Sequence, residues 1–307
     1  RWYRRRQRQM CIRDRGNGKS LGPRSPENER IMVEFHRRKG EIAGRSNGLR
    51  ERVAEQARIC KAVRIGRVPR TATAILRLLE QGGLLGDNVW VAGTHSLFAY
   101  EARAGVFLDS PLMATADIDL LWDPRPRLKL LGGDEIRTDG LMGILKKADR
   151  TFEPVRKRSF RAVNRDGFMV DLIKAAPRRL NAKEPRRWGD EDDLEAAEIR
   201  NLQWLVSAPK FNQTVIGDDG FPAPLTVSDP RAFVLHKRWL SEQPDREPLK
   251  KRRDHEQARV LAGLVIRYLP DYPFRPSDLR MFPLEILESA MREFAIDEIP
   301  VGFGNEE

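Results

Sequence analysis

Asp117 and Asp119 stand one residue apart in the run Ala116 to Trp122, and Asp171 stands between Val170 and Leu172 in a second apolar run. Alternate side chains of a strand share a face. Asp117 and Asp119 therefore point one way, while Ile118 and Leu120 point the other and can pack on a core. Two unit charges 4 Å apart repel by about 4 kcal/mol at an effective dielectric of 20. A divalent cation reverses that sign. Mg²⁺ is a hard ion that prefers carboxylate and phosphate oxygens. Two such ions can bridge three carboxylates and a triphosphate, stabilising both the attacking and the leaving oxygen. If the Asp171 strand pairs beside the first, backbones about 4.8 Å apart bring the three carboxylates together. Upstream, Gly93-Thr94 joins a β-rich run to a helical one. A glycine there lets backbone approach an anion, and the Thr94 hydroxyl with the first N–H groups of the helix can bind phosphate. Ser96 is a second candidate hydroxyl.

These residues need a strand–turn–helix–strand–hairpin order, and the spacing supplies one. Thr71 to Gln81 reads as a helix stopped by Gly82-Gly83. Asn88 to Gly93 reads as a short strand, His95 to Ala104 as a helix, and Ala116 to Trp122 as the next strand. A helix is expected near Leu141 to Arg150. "KRSFRAV" and "GFMVDLI" flank Asn164 to Gly167, a hairpin signal. Residues 183–198 are charge-dense and read as a solvated connection. Helices follow over Arg231–Glu242, Arg246–Tyr268 and Pro283–Phe294. Residues 27–63 also carry helical spacing, with a break expected at "GRSNG", and residues 16–30 read as loop or disorder. The "GNGKS" stretch there is not a P-loop. The position five before Gly18-Lys19 is Arg13, not glycine, and no strand precedes it.

The 307 residues are 33% charged and 40% hydrophobic, the profile of a globular protein with room for about two domains. No apolar run nears the roughly 20 residues of a membrane-spanning helix, and no signal peptide is visible, so a cytoplasmic location without membrane partners is expected. The formal charge of +11 is concentrated at the start, where residues 1–15 hold seven arginines and one aspartate and the remainder carries +5. Gln9 to Asp14 can be encoded by CAG-ATG-TGT-ATA-AGA-GAC, which resembles a transposon-end sequencing adapter. Residues 1–15 are therefore expected to be adapter-derived. That sets Cys11 aside and leaves Cys60 alone, a buried structural thiol by its helical surroundings.

The ordered set of Gly93-Thr94, Asp117/Asp119 and Asp171 resembles the nucleotidyltransferase superfamily, which includes DNA polymerase beta and kanamycin nucleotidyltransferase. It departs from that pattern in having Thr rather than Ser at the turn and in a longer gap filled by "GVFLDSPLMAT". The wider pattern resembles a bacterial group of this superfamily with unassigned substrates. "HKRWLSEQPDREPLKKRRDHEQA" is similar to the fourth motif of abortive-infection nucleotidyltransferases, with Lys237 and Asp254 at the matching positions. The resemblance implies an α/β (α+β) fold: a nucleotidyltransferase-type mixed sheet over residues 71–182, behind an N-terminal extension (16–70), with a mainly helical C-terminal domain (183–307). It implies transfer of a nucleoside monophosphate from an NTP such as ATP to a hydroxyl, with pyrophosphate leaving. Asp117, Asp119 and Asp171 would hold Mg²⁺, two ions in number, with Mn²⁺ as the alternative, and Asp171 would also act as base. Gly93, Thr94 and Ser96 would bind nucleotide. Lys237 would neutralise triphosphate, and Asp254 would orient that lysine or accept a proton. The acceptor could be RNA, protein or a small molecule. A non-catalytic nucleotide- or RNA-binding protein and a toxin-type enzyme acting on tRNA or protein, with an antitoxin-like partner, are the alternatives. Arg246, Lys250, Arg252 and Arg253 read equally as a solvated helix face or as part of the site. His236, Trp204, Trp239 and Phe233 read as packing residues, His255 reads as exposed, and His95 could serve either purpose.

Overall fold

The structure, a computed structural model, describes residues 9–14, 17–125, 134–177 and 184–294. The chain divides into two compact units, Arg1–Ala62 and Val63–Glu307. In the first, β1 (Gln9–Asp14) pairs antiparallel with β2 (Asn17–Pro23), and α1 (Pro26–Ala62) follows. Strand and helix thus occupy much of the stretch expected to be loop. "GNGKS" overlaps β2, and β1 does precede it, contrary to the expectation that no strand would; Arg13 still stands where a phosphate loop needs its first glycine. The adapter-like stretch is described only over β1; residues 1–8 and 15 lie outside the described residues. The break expected at Gly44 to Gly48 is also absent. A glycine costs a helix about 1 kcal/mol, which a long cooperative helix can absorb. Ion pairs one turn apart, such as Arg37 with Glu34 at 2.7 Å, line the helix before that point. Cys60 is unpaired and half-buried rather than buried.

The second unit is built on an eight-stranded mixed sheet. After α2 (Arg70–Gln81), β3 (Val89–Ala92) runs into a 3-10 turn at Thr94–Ser96 and then α3 (Leu97–Ala104). α4 (Ser110–Met113) leads to β4 (Asp117–Trp122). α5 (Asp134–Ala148) is kinked at Gly140, and the described side chains begin there. β5 (Glu153–Pro154), β6 (Arg161–Val163) and β7 (Met169–Ala175) form the next part of the sheet, and β8 (Ala197–Ile199) pairs beside the end of β7. After α6 (Gln203–Ser207), the hairpin of β9 (Lys210–Ile216) and β10 (Pro222–Ser228) returns to the sheet. The order is β5-β6-β7-β4-β3-β10-β9. Helices α7 (Pro230–Glu242), α8 (Pro248–Tyr268) and α9 (Leu284–Glu293) complete the unit.

The core explains this order. β3 is buried along its length, as are Ile118, Leu120, Leu121, Val170 and Leu172 of the central strands. Burial on both faces is what a sheet covered by helices requires. Phe233 is in this core and Trp204 packs edge-on against Trp239 at 5.1 Å, so these aromatics serve packing. The boundary expected near residue 183 falls inside the sheet, because β8, β9 and β10 come after it. β10 was hard to read because Pro222 and Pro224 argue against an inner strand. It tolerates them because it meets β3 only at Val227↔Val91, beyond both prolines. No helix among the described residues is long and apolar enough to cross a membrane.

Candidate functional site

β4 and β7 pair in parallel with Asp119 directly opposite Asp171. Direct partners share a face, and Asp117 lies two residues back on that same face. The three carboxylates therefore meet along one edge of a cleft of about 210 Å³. Asp171 is buried, and Asp117 accepts a hydrogen bond from the Thr115 hydroxyl. Asp119 accepts none from any described residue. Burial, then the charges of Asp117 and Asp171, push its carboxyl up to about 6.

The turn that follows β3 explains why Gly93 is glycine. Ala92 pairs with Asp119 across β3 and β4, so the turn begins against that carboxylate. Gly93 has φ 64° and ψ −156°, a region open essentially to glycine alone. A Cβ there would lie 1.9 Å from Asp119 Oδ2. Gly93→Ala is therefore expected to cost about 1–3 kcal/mol of stability from the backbone alone. It also displaces Asp119, and a misplacement near 1 Å is expected to cost about 10²-fold in rate. Thermal unfolding and transfer assays on the one variant measure both.

Thr94 lies beside it. Its Oγ1 accepts from Arg253 Nη2 at 3.1 Å and from Gln257 Nε2 at 3.2 Å. With two donors arriving, the hydroxyl hydrogen is left to donate. Ser96 does not join the cleft. It is buried, and its hydroxyl donates to the Val91 carbonyl at 3.2 Å, which ties the turn to β3. His95 is also buried, packed edge-on to Phe168 and tilted against Phe98. Burial lowers its pKa to about 4, so it is neutral at pH 7 and acts as a packing ring.

The helices bring the positive charge. Lys237 Nζ lies 2.6 Å from Asp254 Oδ1, and Arg246 holds the other oxygen with Nε at 2.8 Å. Asp254 is almost fully buried. Lys237, Arg246, Lys250 and Arg253 all line the cleft with the carboxylates. Three of these cations belong to the run that reads equally as a solvated face or as part of the site, and only Arg252 is exposed without lining the cleft. Lys250, Arg253, Asp254 and Gln257 recur at helical spacing, which is the signal that one face of α8 is used. His236 is buried on α7 beside Lys237, and burial lowers its pKa to about 3, as suits a packing residue. His255 is half-exposed and meets Glu293 at 2.6 Å.

Arg161 is the residue the sequence reading missed. It stands opposite Asp171 across β6 and β7 and grips it with a fork: Nε to Oδ1 and Nη2 to Oδ2, each 2.6 Å. The same Nη2 lies 3.9 Å from Asp117 Oδ2. These contacts raise the arginine's own pKa. The hairpin turn at Asn164–Gly167 could have revealed it, since folding about that turn sets residue 161 against residue 171. Among the described residues no three acidic, histidine or cysteine side chains form a ready cage for a metal ion. Arg161 supplies the positive charge between Asp171 and Asp117. The donor set nevertheless fits a hard cation: three carboxylates converge, and Asp119 is held in its charged form by no hydrogen bond. Larger cavities, of about 590 Å³ over β9 and β10 and about 470 Å³ beside α3, share no lining residue with this cleft.

A mixed sheet that sets carboxylates against a glycine–hydroxyl turn, with cations from the covering helices, makes this a mixed α/β protein with a charged cleft. More narrowly, the chain belongs to the nucleotidyltransferase family, whose model matches residues 70–280. It is an enzyme of that class, and such enzymes typically use divalent metals. The match extends to residue 280, so it takes in α7 and α8 as well as the carboxylate strands. Among solved structures it is similar to an antigenic nucleotidyltransferase-like protein from Paracoccidioides brasiliensis, with 16% identity, coverage of 69% of this chain and 92% of that one, and a TM-score of 0.29. The family match, not this likeness, carries the assignment. No curated protein matches the chain.

Proposed function

We propose that this enzyme transfers a nucleoside monophosphate from an NTP to an acceptor hydroxyl and releases pyrophosphate. The observation that carries this is the meeting of Asp117, Asp119 and Asp171 beside Gly93-Thr94, in a cleft also lined by Lys237, Arg246 and Arg253. Asp117, Asp119 and Asp171 would hold Mg²⁺, or Mn²⁺ in its place. When bound, the metal supplies charge neutralisation at the reacting phosphate and lowers the cost of bringing an oxygen nucleophile to it. The cleft is smaller than the roughly 300–1,000 Å³ of sites that enclose a whole ligand, so it suits the polyphosphate.

The residues divide the work. Gly93 lets the backbone come close to the phosphates, and Thr94 donates its free hydrogen to one of their oxygens. Lys237 places a point charge on the polyphosphate. Asp254 is engaged by both Lys237 and Arg246, which favours the orienting role over proton acceptance. The acceptor oxygen forms its bond to the α-phosphorus as the bond to the bridging oxygen breaks, and pyrophosphate carries that electron pair away. The acceptor's proton passes to Asp171 once its fork with Arg161 opens. Positioning and charge neutralisation supply most of the catalysis in such transfers.

The test is incubation with each of the four α-labelled NTPs, Mg²⁺ or Mn²⁺, and cell extract. Label is expected in one fraction, which assigns the acceptor as RNA, protein or small molecule. Absence of transfer from every NTP with either metal would overturn the reading.

A further inference from the structure

We propose that Arg161 is an internal competitor for the metal site: its side chain leaves Asp171 for a polyphosphate in the cleft as the metal enters, so that metal and nucleotide binding depend on each other. The proposal rests on the reading of the three carboxylates as metal ligands. Its first support is geometric. Both oxygens of Asp171 are held by one guanidinium at 2.6 Å, and that group reaches to 3.9 Å from Asp117. A planar fork on a carboxylate is the strongest form of this contact. A cation shared by Asp117 and Asp171 must lie where the guanidinium charge now lies, and like charges cannot share that place. Arg161 must therefore move for the metal to enter.

The second support is what lets it move. The backbone of Arg161 is fixed, since its N–H donates to the Ser159 hydroxyl at 3.0 Å and its carbonyl accepts from that hydroxyl at 2.8 Å. Its side chain is about a third exposed and lines the same cleft as Lys237 and Arg253. Among the described residues no acid other than Asp171 and Asp117 forms an ion pair with it. Once displaced, it can turn to an anion in the cleft. A polyphosphate there would accept the fork that Asp171 gives up, because guanidinium fits phosphate oxygens as it fits carboxylate. Each ligand then makes room for the other. By linkage, whatever factor metal adds to nucleotide affinity, nucleotide adds to metal affinity.

The test uses the whole chain and two binary titrations, Mn²⁺ alone and inorganic tripolyphosphate alone with metal chelated, for wild type and Arg161→Met. Removal of the competing charge is expected to tighten Mn²⁺ binding by about tenfold or more, the scale of a charge-assisted hydrogen bond, and to weaken tripolyphosphate by about tenfold. Arg161→Lys keeps the charge without the fork and is expected to fall between the two for Mn²⁺. It also carries the test should the Met variant lose its cooperative unfolding transition. Mn²⁺ affinity unchanged or weakened in a folded variant overturns the competitor role and leaves the transferase reading standing. Failure of wild type to bind Mn²⁺ with or without tripolyphosphate overturns the metal reading itself. A simple structural role for Arg161 would weaken both ligands together, and that result also counts against the proposal.

Discussion

Nucleotidyl transfer by the Asp117→Ala/Asp119→Ala variant is expected to fall by at least about 10³-fold, because charge stabilisation by a bound metal is worth several kcal/mol in the transition state. The fold should survive. Ile118 and Leu120, on the opposite face of β4, carry its packing and are fully buried. Asp119 opposes folding in the metal-free state, its carboxyl raised from 3.8 to about 6 chiefly by burial. A carboxyl raised on folding binds protons more readily in the folded state than in the unfolded one. Stability is then lost as pH climbs from about 4 to about 6 and stays lost above that. Asp119→Asn is accordingly expected to stabilise the metal-free protein at pH 7 by on the order of 2 kcal/mol and to have little effect at pH 4. Unfolding scans across pH, with labelled-NTP transfer on the same preparations, check both halves. Undiminished transfer by the double variant would end the mechanism, and a Tm that falls at pH 7 in Asp119→Asn would end the electrostatic account.

Asp254→Ala should show the largest loss of stability. Asp254 is the shared partner of Lys237 at 2.6 Å and of Arg246 at 2.7 Å, and the Lys237 side chain is only 10% exposed. Removing one partner of a buried pair leaves an uncompensated charge and costs about 3–5 kcal/mol. Arg246 is about a third exposed and can recover water, which places the expected loss near about 3 kcal/mol. Asp254→Asn keeps the shape and one acceptor and should lose less. Both variants free Lys237 from its fixed position, so KM for NTP should rise in each. Urea unfolding and steady-state kinetics report these separately. A loss below about 1 kcal/mol in Asp254→Ala would mean that water already screens the pair.

What the sequence disclosed and what it hid follow from the range of the interactions. Asp117, Asp119 and Asp171 were legible because strand alternation is local, and each sits among apolar neighbours that fix its strand. The helices over 70–81, 230–242 and 248–268 were legible from their periodicity for the same reason. Ser96 was misread because a hydroxyl near a helix start can face phosphate or cap the preceding strand, and only the 3-10 geometry of Thr94–Ser96 decides between them. Arg253 and Gln257 meet Thr94 across more than 150 residues, a separation no local pattern reports. The charge run from Arg246 to Arg253 stays open in the sequence between a solvated face and a site, because helical charge alone does not say which face is covered. β10 was missed through prolines that are harmless because only its far end, at Val227, meets β3.

The place of β10 inside the sheet, between β3 and the edge strand β9, limits how this enzyme can be dissected. A fragment ending at residue 182 would keep all three carboxylates and the glycine turn, yet it would strip β3 of a neighbour. "VWVA" would then be an open, uncharged edge with unpaired backbone groups, the kind of strand that templates aggregation. The minimal piece that stays in solution should therefore run at least through Ser228, and a shorter one should accumulate as insoluble protein despite carrying every acidic group of the site.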